Sequence, residues 1–230
     1  CLGAVADDAA LLGAMGCGHG AAPWYGGEPV ALPLANEPGL LAIDGNVLAG
    51  AMASCGVTLV AMRCVVMDEG RFNETVLRAG SKGEVTLAGV REHLGFLKGI
   101  VPRGEHVRVV GDRLGGRQSY ARFLEGALGG AVEVLEESER VSRYDCEGVG
   151  VQFLPEAETQ HGPVALASMI AKFARELAML RFNRYWCGRG AAERVELKPT
   201  AGYRQDAARW LADAKGLVSA EDRRAMVRQA

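Results

Sequence analysis

The alternation of hydrophobic and polar positions is weak over the first 56 residues and sharpens from residue 57 onward. Val57 to Met67 (VTLVAMRCVVM) is a near-continuous apolar run rich in β-branched residues. It predicts a strand buried on both faces and ended by Asp68-Glu69-Gly70. Glu84 to Leu97 has helical spacing through Val85, Val90, Leu94 and Leu97. Val107 to Val110 predicts a second short buried strand closing on Gly111-Asp112, and Leu114-Gly115-Gly116 then leads into a helix over 117–128. Ala131 to Leu135 predicts a third strand. Val141 to Cys146 and Gly150 to Leu154, joined around Glu147-Gly148, predict a hairpin addition. Pro163 suits the first turn of a long apolar helix reaching about Trp186. Two short amphipathic helices, near 204–214 and 219–229, close the chain.

Strand, helix, strand, helix, strand is an α/β order, with a central sheet flanked by helices. The expected organisation is a loosely patterned segment 1–56, an α/β core over 57–190 and a basic helical extension over 191–230. Within the first segment, Gly-Cys-Gly-His-Gly (16–20) and the Pro-rich stretch from Pro23 to Pro38 read as loop between two Ala/Leu-rich segments that suit short helices.

Composition narrows the class. With 230 residues, 49% hydrophobic and 23% charged, the chain is long and apolar enough for a sizeable core, which excludes wholesale disorder. No run of apolar residues has the character of a spanning helix, so no membrane partner is expected. The net charge of −2 hides an asymmetry: residues 1–170 carry 13 Lys/Arg against 21 Asp/Glu, whereas 171–230 carry 13 against 7. An acidic body with a basic tail suits a metal–carboxylate site beside a phosphate-binding surface; it also suits a solvated basic helical face. The six cysteines, Cys1, Cys17, Cys55, Cys64, Cys146 and Cys187, lack C-x-x-C spacing. They argue against a zinc knuckle or redox pair and for small packed side chains in a reducing cytoplasm. The expected protein is a cytoplasmic monomer. The chain opens at Cys1 without a basic stretch ahead of an apolar run, so it is read as a fragment whose N-terminus lies upstream.

Ligands of an open α/β sheet gather at the carboxyl ends of its strands. Asp112 is expected there, flanked by Gly111, as a metal ligand or as a turn-forming acid. Glu158 follows the strand ending at Leu154 and precedes the helix opened by Pro163, where it is either a second ligand or a solvated loop acid beside Glu156. Ser168, Lys172 and Arg175 fall at i, i+4 and i+7, a polar stripe on a helix otherwise lined by Val164, Leu166, Met169, Ile170, Phe173, Leu177 and Leu180. Such a stripe on a largely buried helix needs anionic partners, either protein acids, Glu176 among them, or phosphates. A metal-dependent phosphatase using Asp112 with His161 is a weaker alternative; His161 equally suits a loop residue.

The stretch from Ala165 to Glu176 (ALASMIAKFARE) resembles the hallmark helix of the type 2 ribonucleases H, A-A-S-I-x-A-K-x-x-R-D. In that family an acidic metal ligand lies ten residues before the Ser; the position is Glu158 here, where the family usually has Asp. Val109-Val110-Gly111-Asp112 is similar to the family's strand-end Asp before a Gly-rich turn. Phe72-Asn73, Gly202-Tyr203 and Gly216 through Arg223 resemble further family elements in the same order, with Asp222 where the family has His. The resemblance spans about residues 57–228 and implies a ribonuclease H-like mixed sheet flanked by helices, with a helical C-terminal extension.

The resemblance also implies a function: a metal-dependent endonuclease that hydrolyses the RNA strand of RNA–DNA hybrids. Two Mg²⁺ or Mn²⁺ ions, roughly 4 Å apart, would be held in part by Asp112 and Glu158. Lys172 would sit near the phosphate or organise the carboxylates, and Tyr203 would pack against a sugar or base. Arg175 and the basic tail would contact nucleic acid. Besides Glu158 and Asp222, the chain departs from the family at its first strand. The family's first strand ends in Asp-Glu-Ala-Gly-Arg-Gly, and no such motif precedes Val57. Asp68-Glu69-Gly70-Arg71 mimics it at the wrong interval, so the acidic pair is expected upstream of Cys1. From these departures comes the alternative, a catalytically inactive ribonuclease H-like module that binds nucleic acid.

Overall fold

The computed structural model describes residues 5–101 and 105–229; Cys1 lies outside the described residues. The elements in chain order are α1 (Asp8–Ala14), α2 (Pro38–Ser54), α3 (Glu69–Ala79), α4 (Lys82–Ile100), β1 (Val107–Asp112), α5 (Ala121–Leu128), β2 (Glu133–Glu137), β3 (Ser142–Cys146), β4 (Val149–Leu154), α6 (Gly162–Ala192), α7 (Arg204–Asp213) and α8 (Ala220–Met226). They fall into two compact units. Among the described residues, one comprises 69–101 and 105–172 with 227–229, the other 5–68 with 173–226.

The unit over 69–172 is α/β, with a four-stranded mixed sheet and helices packed on it. Strand order is β1-β4-β3-β2, with β1 parallel to β4 and the other pairs antiparallel. The expected hairpin around Glu147-Gly148 forms, because both residues adopt the left-handed conformations a tight reversal needs (φ 53° and 88°) and the Gly148 amide donates to Asp145 Oδ1. It is no addition, however. β4 lies inside the sheet between β1 and β3, and is buried from Val151 through Leu154, as an inner strand covered on both faces must be. One face packs Tyr144, Cys146, Val151 and Phe153 against Leu87 and Leu94 of α4 and Phe123 and Leu124 of α5. Val141, Leu154 and Ala157 form a smaller cluster with Val110 and Val164.

The other unit has an aromatic core: Trp24, Tyr25, Phe182, Trp186 and Trp210 surround one another with ring centroids 5.0–6.4 Å apart. Trp186 and Trp24 are fully buried, which is where large apolar rings contribute most to stability. Within this unit α1 is capped by Asp7, whose carboxylate accepts from the Ala10 amide at 2.8 Å.

The strand expected at Val57–Met67 does not form. The segment has no regular secondary structure, and Val57, Leu59 and Val60 are exposed. Apolar, β-branched composition suits a buried strand, but a strand also needs a neighbour for its backbone groups; among the described residues this segment has no such ladder. The preceding helix α2 (PGLLAIDGNVLAGAMAS) is apolar on every side and contains no buried residue.

Candidate functional site

The parallel pairing of β1 and β4 sets Asp112 opposite Leu154, so both strands deliver their carboxyl ends to one edge of the sheet. Beyond Leu154 the chain reverses through Glu156, left-handed at φ 52°, into a 3-10 turn over Ala157–Thr159 that carries Glu158. The Ala157 amide donates to Asp112 Oδ1 at 3.3 Å. Asp112 and the turn that carries Glu158, 46 positions apart in sequence, therefore lie at the same sheet edge, joined through the residue next to Glu158, and both acids are exposed.

The loop that follows Asp112 is held from below. The Tyr144 hydroxyl accepts from the Tyr120 amide at 2.9 Å and donates to Glu137 Oε1 at 2.6 Å. The Tyr120 hydroxyl accepts in turn from the Leu114 amide at 3.0 Å and donates to the Arg117 carbonyl at 3.1 Å. Burial, with the Glu137 carboxylate as the second cause, pushes the Tyr144 phenol up to about 12, so it stays protonated and keeps this donor role. Arg113 fixes the loop on its other side, donating to the Ser138 and Glu139 carbonyls at 2.7 and 2.8 Å. Gly111 is required for packing: a Cβ there would stand 3.0 Å from the Phe153 ring.

His161 is tied to the sheet. Gln152 Oε1 accepts from Arg108 Nη2 at 3.1 Å, which leaves the Gln152 amide nitrogen to donate to His161 Nε2 at 3.3 Å. That accounts for His161 structurally, as a residue packed at the start of α6.

The polar stripe on α6 differs from the expectation. Ser168 and Lys172 are exposed, as are Leu166 and Met169, so the amino-terminal half of the helix is an open surface and not a largely buried one. The buried polar residue of this helix is Arg181. Arg175 lies in the unit with Tyr203: its guanidinium stacks over the Tyr203 ring at 4.1 Å and donates to the Ala201 carbonyl at 2.6 Å. Tyr203 is 61% exposed, so the pair presents an open cationic–aromatic surface. The candidates thus divide between the two units, Asp112, Glu158 and Lys172 in one and Arg175 with Tyr203 in the other.

Other singled-out residues have structural roles. Asn73 donates from Nδ2 to the Val227 carbonyl and accepts on Oδ1 from the Gln229 amide, while Arg228 lies over the Phe72 ring, so Phe72-Asn73 clamps the chain end. At the start of α8 the Ser219 hydroxyl accepts from the Asp222 amide at 3.0 Å and donates to the Asp222 carboxylate at 2.8 Å. Among the described residues, no cluster of three or more His, Cys, Asp or Glu side chains is arranged to hold a metal ion.

A buried polar centre in the unit containing α1 was not foreseen. Asp8, fully buried, receives Arg181 Nε at 2.5 Å and Nη2 at 2.7 Å, the Val30 amide at 2.9 Å and His19 Nε2 at 2.8 Å. Arg181 also donates to the Tyr25 carbonyl at 2.9 Å. Burial would raise the Asp8 carboxyl, but the hydrogen bonds from Arg181, Val30 and His19 overcome it and hold the group well below the usual carboxylate range. Burial pushes His19 down, and the nearby Arg181 charge adds to this against the pull of Asp8. The local signals were slight: an Asp inside an Ala/Leu segment and an Arg between Leu180 and Phe182.

No known protein family, curated protein or solved structure matches this chain. Among the described residues no helix is long and apolar enough to cross a membrane.

Proposed function

We propose that the chain carries part of a divalent-metal-dependent phosphodiester-cleaving site of the type 2 ribonuclease H kind, acting on the RNA strand of RNA–DNA hybrids. The observation that carries this reading is the convergence of Asp112 and Glu158 on one sheet edge, in the order and at the strand ends that the sequence resemblance calls for. The donors are hard carboxylate oxygens, the type Mg²⁺ and Mn²⁺ prefer, and two carboxylates with substrate phosphate and water are a common Mg²⁺ environment. Asp112 and Glu158 would hold the ion; when bound it would lower the pKa of an attacking water and stabilise the leaving oxygen.

This chain's own residues supply the remaining functions. The Ala157 amide orients the Asp112 carboxylate through Oδ1 and leaves Oδ2 for a cation. Lys172, exposed on α6, suits a phosphate oxygen. In the other unit, Arg175 and Tyr203 suit a nucleic-acid contact of their own, with a backbone phosphate and a sugar or base face. A second reading, a nucleic-acid-binding module that does not cut, draws support from Glu158 standing where the family usually has Asp and Asp222 where it has His. The deciding experiment is hydrolysis of a labelled RNA–DNA hybrid with Mn²⁺ by the protein and its Asp112→Asn variant. Cleavage lost in the variant supports the nuclease. Tight, salt-sensitive hybrid binding without cleavage by either protein supports the binding module.

A further inference from the structure

Helix α2 is closed at its carboxyl end, yet none of its residues is buried. Gly56 adopts the left-handed conformation at φ 67°, its amide donates to the Ala53 carbonyl at 3.1 Å, and the Val57 amide donates to the Met52 carbonyl at 2.9 Å. Those paired bonds end the helix and turn the chain back. At the other end Glu37 makes no side-chain cap. A helix of this length that contains Gly39, Gly45 and Gly50 is marginal in water unless a face is packed. Leu40, Ile43 and Val47, at i, i+3 and i+7, form a stripe 58–67% exposed, with Leu41 and Leu48 exposed beside it. Past the turn, Val57, Leu59 and Val60 are 48–78% exposed. These side chains present on the order of 800 Å² of apolar surface, more than the largest patch on a typical monomer and about what each partner contributes to a stable interface.

We infer that a second copy of this chain docks on α2, giving a two-fold homodimer in which the Leu40, Ile43 and Val47 stripe of one protomer lies against the same stripe of its partner. The charge pattern favours that occupant over others. Residues 38–62 carry one charge, Asp44, and no Lys or Arg occurs before Arg63. Such a surface has no cations for a nucleic acid or an anionic membrane, and a helix apolar on every side lacks the polar face of one lying at a lipid surface. It also carries no arrangement of charges that would select a different protein, whereas a two-fold interface requires only that the patch complement itself. The 3–4 spacing meets that requirement, because the large residues of one helix pack between those of the other. Asp44 falls at the flank of the stripe, where charged residues sit beside helical seams. The protein is then a dimer, where its sequence led us to expect a monomer.

The test uses the full chain in sedimentation velocity at roughly 1 to 100 µM, a range in which an interface of this area associates. The expected result is a concentration-dependent shift from one chain mass to two that persists at ~1 M salt, because no ion pair holds the interface. Val47→Asp should weaken the dimer more than about tenfold. Its urea midpoint by tryptophan fluorescence, read at ~0.1 µM where both proteins are single chains, should match that of the unmodified protein, since Val47 is exposed and outside the tryptophan core. Leu77→Asp, at an exposed apolar residue of α3, is the control and should leave the dimer intact. A single chain mass over the whole range, a dimer that survives Val47→Asp, one that is lost in Leu77→Asp, or growth into open-ended assemblies would each overturn the inference. So would flotation of the protein with phosphatidylcholine vesicles in place of dimerisation.

Discussion

Arg181 grips both carboxylate oxygens of Asp8 from 173 positions away, and neither side chain reaches solvent. A guanidinium and a carboxylate match as two parallel hydrogen bonds, so the pair fixes the angle at which α1 meets α6 within their unit. Burying both charges is costly, and the geometry offsets that cost only while every remaining donor has an acceptor. Arg181 satisfies this by also donating to the Tyr25 carbonyl, and Asp8 by also accepting from Val30 and His19.

Removing one partner is therefore expected to destabilise this unit strongly. Arg181→Met should cost about 3–5 kcal/mol by leaving Asp8 charged and buried. The three tryptophans, Trp24, Trp186 and Trp210, all lie in this unit, so urea unfolding followed by tryptophan fluorescence reads it alone. A double variant, Asp8→Leu with Arg181→Met, should be less destabilised than Arg181→Met. If it is worse, the pair contributes net stability beyond mutual neutralisation.

The same centre sets the response to acid. Burial holds the His19 pKa below 6.5, so the unfolded chain binds a proton more readily than the folded one and stability falls once pH drops below about 6.5. Asp8 is held below its ordinary value of 3.8; its contribution is complete above that value and is lost as pH falls toward the folded pKa. Both effects have the same sign. The urea midpoint by tryptophan fluorescence should decline between pH 7.5 and 5 and decline again below pH 4, and His19→Gln should flatten the first decline only. A midpoint unchanged from pH 7.5 to 5 would count against a depressed His19.

Legibility in the sequence followed the range of the interaction. Val107–Asp112 and the Glu147-Gly148 reversal were readable because short apolar runs and turn residues act on their own backbone. The position of the turn carrying Glu158 beside the end of β1 followed from two strand ends and a helix start, all locally marked. Val57–Met67 misled because apolar, β-branched composition reports a preference for burial and not the presence of a neighbouring strand. Asp8 with Arg181 was invisible because no spacing rule links residues joined only by tertiary packing.

Tyr144→Phe isolates the support beneath the loop that follows Asp112. It removes the acceptor of the buried Tyr120 amide and the donor to Glu137, a loss of about 1–3 kcal/mol for the orphaned N–H. The sheet face should survive, since the ring stays packed against Val151 and Tyr120. Amide hydrogen exchange should accelerate at Tyr120 and Leu114, with Val151 and Phe153 unchanged. Uniform acceleration across β3 and β4 would instead mean that the hydroxyl holds the whole sheet.

Gly111→Ala tests how closely β1 must approach its neighbour to place Asp112. The added Cβ would stand 3.0 Å from Cδ1 and Cε1 of Phe153, whose ring is stacked on Tyr120 at 4.2 Å and has little freedom to retreat. Overpacking of this kind costs about 1–3 kcal/mol. Because Gly111 precedes Asp112 on the strand, the displacement should also stretch the bond from the Ala157 amide to Asp112 Oδ1, seen as faster exchange of the Ala157 amide. Phe153→Leu made in the Gly111→Ala background should restore part of the stability by freeing the space the methyl needs. If the double variant shows the sum of two independent losses, Gly111 is required for a reason other than the Phe153 ring.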